Sequence, residues 1–274
     1  MHDPLFSVSG QVVLVSGGSR GIGRAIAQGF AERGTHVVLT GRSLGTAKEA
    51  EKGIIAAIDG RSYGGGTEGS VEGVACDVSD LSQIERLVDD VISKHGRVDT
   101  LVNVAGVNRR KPSLEITEED YDFVLDTNLK GAYQLSIAVG RHMLDRGSGS
   151  QINITSLNND RPLTNVAPYA MSKAAMGQMT KALALEWGDR DIRVNGLAPG
   201  FILTDLTQKL WSDPDMLAWG KANTPQRRMG VPSDMIGTAI FLASPAATFM
   251  TGQILYVDGG FTAGWAWPIP DDNQ

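Results

Sequence analysis

Seven short apolar runs, at 11–15, 36–40, 73–76, 100–103, 151–154, 193–197 and 253–257, constrain this chain more than anything else in it. Each stops at a glycine or a polar turn residue. Stretches of helical period fill the gaps, most clearly at 21–33, 81–94, 118–145, 168–188 and 232–243. Short continuous apolar runs bounded by turn residues read as strands buried in a parallel sheet. Repeated strand–helix units with right-handed crossovers predict an α/β fold, a doubly wound, Rossmann-like parallel sheet with helices on both faces. No low-complexity linker interrupts the alternation, so residues 1–274 read as one domain. The glycine-rich stretch 60–70 reads as a flexible loop before the third strand.

The first strand leads directly to Gly17, Gly21 and Gly23, spaced Gly-x-x-x-Gly-x-Gly. At a strand-to-helix turn such glycines let the backbone approach a pyrophosphate, which the free N–H groups and dipole of a helix N-terminus favour. The second strand ends in Thr40, Gly41 and Arg42, with no acid to take a ribose 2′-hydroxyl. Arg42 and Arg20 of the glycine turn together offer two guanidiniums to one phosphate. That favours NADP(H), with NAD(H) possible; two solvated surface arginines are the competing reading.

Tyr169 and Lys173 stand four residues apart in a helical stretch, so their side chains share a face one turn apart. A cation beside a phenol favours the phenolate. Bringing a phenol from its free value of about 10 to near neutrality takes about 4 kcal/mol, more than one lysine usually supplies. A second cation, such as an oxidised nicotinamide ring, is therefore expected nearby. The pair taken alone also arises by chance on helix surfaces.

The formal charge of −6 argues against a nucleic-acid groove. A single cysteine, Cys76, leaves no intrachain disulfide, and a reducing cytoplasm is the simplest compartment. No signal peptide is visible at the start and no apolar stretch is long enough to cross a bilayer, so no membrane partner is expected. The four histidines are scattered without carboxylate or thiol partners at ligand spacing, and no catalytic metal is expected. Asn153 begins a glycosylation sequon, but in a strand expected to be buried.

From about residue 7 to 262 the chain resembles the short-chain dehydrogenase/reductase superfamily, on several independent motifs. Gly17, Gly21 and Gly23 resemble its cofactor loop, Asp77 and Val78 its adenine-holding pair, and residues 103–106 its Asn-Asn-Ala-Gly segment. Asn128 matches the helix asparagine of its catalytic tetrad, and Ser156 stands thirteen residues before Tyr169, as its catalytic serine does. Pro199, Gly200 and Thr204 look like the segment that closes on the nicotinamide. The resemblance implies a cofactor site of Gly17, Ser19, Arg20, Gly21, Ile22, Gly23, Arg42, Asp77, Val78, Asn103, Ala105, Gly106, Tyr169, Lys173, Pro199, Gly200, Ile202 and Thr204. It implies that Tyr169 is general acid in carbonyl reduction and base in alcohol oxidation, that Lys173 lowers its pKa and binds the nicotinamide ribose, and that Ser156 orients the substrate oxygen. Asn128 is expected to position a water linking Lys173 to solvent. Val104 departs from the family's second asparagine, and a hydrogen bond that steadies the central sheet is expected to be missing, at about 1 kcal/mol.

The chain is similar in particular to the sugar-acid dehydrogenases of that superfamily, through residues 106–112 and 255–262. Arg109, in the basic trio after the fourth strand, is the first choice to pair with a substrate carboxylate, a solvated loop being the alternative. Asn158, Asn159, Arg161 and Asn165 make a polar wall suited to a polyhydroxylated carbonyl or alcohol substrate, turn capping by some of them being the alternative. Residues 203–223 occupy the position of the family's lid, where Trp211 and Trp219 face a sugar ring or pack in the lid's own core. A homotetramer built through the long helices of the fifth and sixth units is expected, with Met171, Met176 and Met179 either in the interface or in the core. The apolar tail within 261–274 is expected to pack on a neighbouring subunit. A 3-oxoacyl-carrier-protein reductase and a non-catalytic dinucleotide sensor are the competing functions.

Overall fold

A computed structural model describes residues 3–58 and 69–265. Its centre is a seven-stranded sheet in the order β3-β2-β1-β4-β5-β6-β7, parallel at every pairing. The strands are β1 (Val12–Ser16), β2 (His36–Gly41), β3 (Ser70–Ala75), β4 (Thr100–Asn103), β5 (Gly149–Ile154), β6 (Ile192–Pro199) and β7 (Ile254–Val257). Every residue of β1 is buried, as a central strand covered on both faces requires. The two-residue period divides it: Val13 and Val15 join one core, and Val12 and Leu14 the other.

The first core lies under α1 (Gly21–Ala31), α2 (Leu44–Ile58) and a later helix at 236–243, through Ile26, Phe30, Ile54 and Met235. The second lies under α3 (Leu81–His95) and the two long helices that follow β4 and β5, through Leu87, Leu135, Met176 and Leu183. Met176 and Met179 are therefore core, whereas Met171 is exposed.

Three expectations change in detail. The third strand begins at Ser70, inside the stretch read as a loop; it is an edge strand whose burial alternates, so its apolar run is short. The helix expected at 118–145 is α4 (Glu118–Leu125), a π turn (Asp126–Lys130) and α5 (Gly131–Arg146). The helix expected at 232–243 opens with a 3₁₀ turn (Pro232–Met235). The long α6 (Ala167–Trp187) follows β5; α7 (Gln208–Trp211) and α8 (Pro214–Asn223) precede α9 (Ile236–Ala243). Residues 60–68 of the expected loop, and the tail from 266 onward, lie outside the described residues.

Candidate active site

The carboxyl ends of β1, β2, β4, β5 and β6 open onto one cleft of about 1010 Å³. Of the eighteen residues expected to bind a dinucleotide, seventeen line it, from Gly17, Ser19, Arg20, Gly21, Ile22 and Gly23 through Arg42, Asp77, Val78, Ala105 and Gly106 to Tyr169, Lys173, Pro199, Gly200, Ile202 and Thr204. Asn103 does not. Its side chain points into the core, where Nδ2 donates to Ser136 Oγ and to Asn153 Oδ1, both at 2.9 Å. Sequence reading missed Ser43 and Thr46, which stand at the start of α2 beside Arg42. Small hydroxyl residues at a helix start were the available signal.

The phosphate end of the cleft fits a dinucleotide. Gly17 sits at φ +67°, and a Cβ there would lie 2.7 Å from the backbone of Ala105. A Cβ on Gly23 would collide with the Gly17 carbonyl, so turn and helix pack at a separation open only to bare backbone. Arg20, at the α1 N-cap, makes no side-chain capping bond. The first-turn N–H groups are thereby left for an acceptor in the cleft.

At the other end, the π turn and the start of α6 bring the catalytic candidates together. Asn128 is fully buried in the π turn, a distortion frequent at functional sites. Its Oδ1 accepts from Val107 N at 2.7 Å, while Nδ2 donates to Val107 O at 2.9 Å and Ser172 Oγ at 3.1 Å. The amide thus clamps the loop after β4 to the π turn. The sheet end expected to suffer from Val104 is held otherwise: Ser16 Oγ accepts from Val104 N at 3.1 Å.

Lys173 is 3 % exposed, and its Nζ donates to Ile154 O at 2.7 Å, lying 5.8 Å from the centre of the Tyr169 ring. Burial lowers its pKa from 10.5 to about 8. Burial raises the Tyr169 pKa; the hydrogen bond with Ser156, and more weakly the charge of Arg110, pull the other way. In the protein without cofactor desolvation is the largest influence and favours the protonated phenol, and the Lys173 ammonium, turned to a strand carbonyl, is not among the groups that act on it.

The substrate candidates are rearranged. Arg109 Nε is 3.3 Å from Asp120 Oδ1, and its guanidinium lies 4.1 Å over the Phe123 ring. Lys111 takes the other oxygen of Asp120. Asp120 thus engages two cations of the trio and not the third, Arg110. Arg109, expected to take a substrate carboxylate, already faces the carboxylate of Asp120. Arg161 donates to Phe261 O at 3.3 Å and lies 5.5 Å from the Trp265 ring. Asn158 bonds to Ser156 and Leu163. Trp211 is buried edge-on to Phe201 with ring centres 5.2 Å apart, in a small third cluster with Leu157, Met229 and Phe261. It packs in that cluster, whose other buried members lie outside residues 203–223, and Trp219, 5.7 Å from Phe201, flanks it.

The chain belongs to the short-chain dehydrogenase/reductase family, whose members are NAD(P)-dependent oxidoreductases; the family model described as enoyl-(acyl carrier protein) reductase matches residues 16–262. It is 37% identical to the gluconate 5-dehydrogenase of Gluconobacter oxydans over 264 residues, 95% of this chain and 98% of that one. A crystal structure of a gluconate 5-dehydrogenase from Burkholderia cenocepacia in complex with NADP and tartrate matches with a TM-score of 0.88 at 34% identity, covering 96% of this chain and 99% of that one. The 3-oxoacyl-acyl-carrier-protein reductase of Chlamydia pneumoniae is 38% identical over 253 residues, 92% of this chain and 97% of that one.

Proposed function

We propose that this enzyme interconverts a secondary alcohol and a ketone on a sugar acid, such as gluconate and its 5-keto form, with NADP(H) as cofactor. The observation that carries the reading is the cleft that brings Ser156, Tyr169 and Lys173 into line with the dinucleotide-binding glycines, with Arg110 the cation of the trio that Asp120 does not pair. An exposed guanidinium not held by Asp120 is available to a substrate carboxylate. The gluconate 5-dehydrogenase relatives, one of them holding NADP and tartrate, support the same substrate class.

A bound nicotinamide supplies or takes the hydride. The chain's own residues do the rest. The protonated phenol of Tyr169 gives its proton to the substrate oxygen in reduction. The Ser156 hydroxyl donates to that same oxygen, and Lys173 holds the ribose end and passes protons onward. Asn128 keeps the Val107 loop at the correct distance. Arg20 and Arg42, with Ser43, take the 2′-phosphate. We place residues 203–223 as a lid over a single domain of the cytoplasm. Four copies assembling through α5 and α6 would cover Tyr133 and Met171, both nearly half exposed. Light scattering that gave a monomer would remove the assembly.

Arg42→Ala is expected to weaken NADPH about 10- to 100-fold, the scale of a lost hydrogen bond to a charged group, and NADH little. Equal losses in a fluorescence titration would overturn the NADP(H) assignment. Arg110→Ala is expected to raise KM for 5-ketogluconate by a similar factor of about 10 to 100, with KM for an uncharged ketone unchanged. An acyl-carrier reductase is the second reading, supported by the Chlamydia pneumoniae relative and by the apolar cluster around Phe201. NADPH oxidation followed with 5-ketogluconate, an acetoacetyl thioester and simple ketones decides between them. Thioester turnover far above that with 5-ketogluconate would reject the sugar acid.

A further inference from the structure

The Ser156 hydroxyl oxygen has two acceptor positions and one proton. The backbone N–H of Asn158 donates to it at 3.1 Å, and Asn158 Nδ2 donates at 3.3 Å. The amide is held in that sense, because its Oδ1 accepts from Leu163 N at 3.0 Å. Turned over, it would set an NH₂ against the Leu163 N–H and present an acceptor to Ser156. Asn158 and Ser156 are both buried, so water has little access to compete for either bond. With its two acceptor positions filled from one residue, Ser156 has only its proton left to offer, and it pulls the Tyr169 pKa down as a donor toward that oxygen does.

We propose that Asn158 is a positioning residue that holds the Ser156 hydroxyl as a fixed donor toward the reacting substrate oxygen. The inference rests on the proposed reading that Ser156 touches that oxygen. As hydride adds to a carbonyl, negative charge grows on the oxygen, and donors already aimed at it need no reorganisation at that moment. A serine free to rotate its proton spends part of its time as an acceptor, and an acceptor beside that oxygen opposes the reaction. Leu163, five residues along the chain from Asn158, sets the polarity of the device through its backbone N–H. Asn158 was expected to touch substrate as part of a polar wall; the geometry assigns it instead to the residue that does.

Asn158→Asp tests this with little change of shape. One carboxylate oxygen still accepts from Leu163 N, while the other accepts the Ser156 proton and draws it from the substrate. At neutral pH kcat is expected to fall about 100-fold, the scale of losing one preorganised oxyanion donor, with NADPH affinity unchanged. The ratio of variant to unaltered kcat is expected to climb as pH falls and the buried carboxyl protonates, since the acid again offers a donor. Activity close to that of the unaltered enzyme, or a reduced ratio flat across pH, overturns the proposal. Asn158→Ala, which removes the side-chain donor and keeps the backbone one, is the second variant. It is expected to lose about 10-fold in kcat, independently of pH, as a neutral donor bond of about 1.4 kcal/mol implies. Unchanged kcat there overturns the proposal even if the Asp variant does not fold. Ser156→Ala separates the two levels: if it keeps full activity, the site reading itself fails, and if it is inactive while both Asn158 variants work, the inference alone fails.

Discussion

Tyr169→Phe is expected to lower turnover by about 10³-fold or more, the scale of a lost general acid, and to leave NADPH affinity close to that of the unaltered protein. The substitution keeps the ring and removes one hydroxyl, which lines the cleft together with Ser156. The phosphate-binding backbone around Gly17 and Gly23 lies at the other end of the same cleft and is not touched. Because burial raises the Tyr169 pKa, the protonated phenol persists above its ordinary range. For ketone reduction the protonated form is the active one. The plateau of kcat/KM is therefore expected to run through neutral pH and to fall only on the alkaline side. Single-turnover rates and a cofactor titration of the Phe variant check the first claim, and a pH profile of the unaltered enzyme checks the second. Turnover in the variant within about tenfold of the unaltered enzyme, far short of the loss of a general acid, or a reductive limb that falls near pH 7, would remove Tyr169 as the acid.

Lys173→Met is expected to abolish most turnover, on the order of 100-fold or more, and to change how stability depends on pH. The folded lysine loses its proton at about 8 and the unfolded one at an ordinary 10.5. Between those values the unfolded chain binds the extra proton, so unfolding free energy rises with pH across that window. Below pH 8 both states are charged and this residue adds no slope. The rise is on the order of 3 kcal/mol, and the Met variant lacks it. Denaturant melts of the unbound proteins at intervals from pH 7 to 10.5 give the difference directly, because other groups titrate alike in both. A difference that stays constant over that range would mean that the buried ammonium is not desolvated. Loss of the donor to Ile154 O shifts both ends of the comparison equally and does not imitate the slope.

Much of this was legible without coordinates, and the particular residues show why. β1 reads as a central strand because five consecutive residues are buried on both faces, a pattern a sequence displays in full. β3 was read three residues short, because an edge strand alternates and its polar half resembles loop. The α2 helix presents Ala47, Ala50 and Ile54 to the core, a face too weakly apolar to stand out. The cofactor residues were legible because backbone approach demands glycine at fixed offsets. Asn103 was the exception, since whether a strand-end amide turns to the cleft or to Ser136 depends on a partner 33 residues away.

The chain by itself determined the strand–helix alternation, the glycine turn, the two arginines near the 2′ end and the spacing of Ser156, Tyr169 and Lys173. These follow from local periodicity and from backbone requirements that one stretch of sequence carries whole. Only the tertiary structure decided which of three adjacent cations Asp120 leaves out, because its carboxylate reaches from α4 to Arg109 and Lys111 in the loop after β4. It also decided how deeply Lys173 is buried and which groups donate to Ser156. Desolvation and hydrogen-bond polarity are sums over neighbours drawn from distant parts of the chain, and no spacing encodes them.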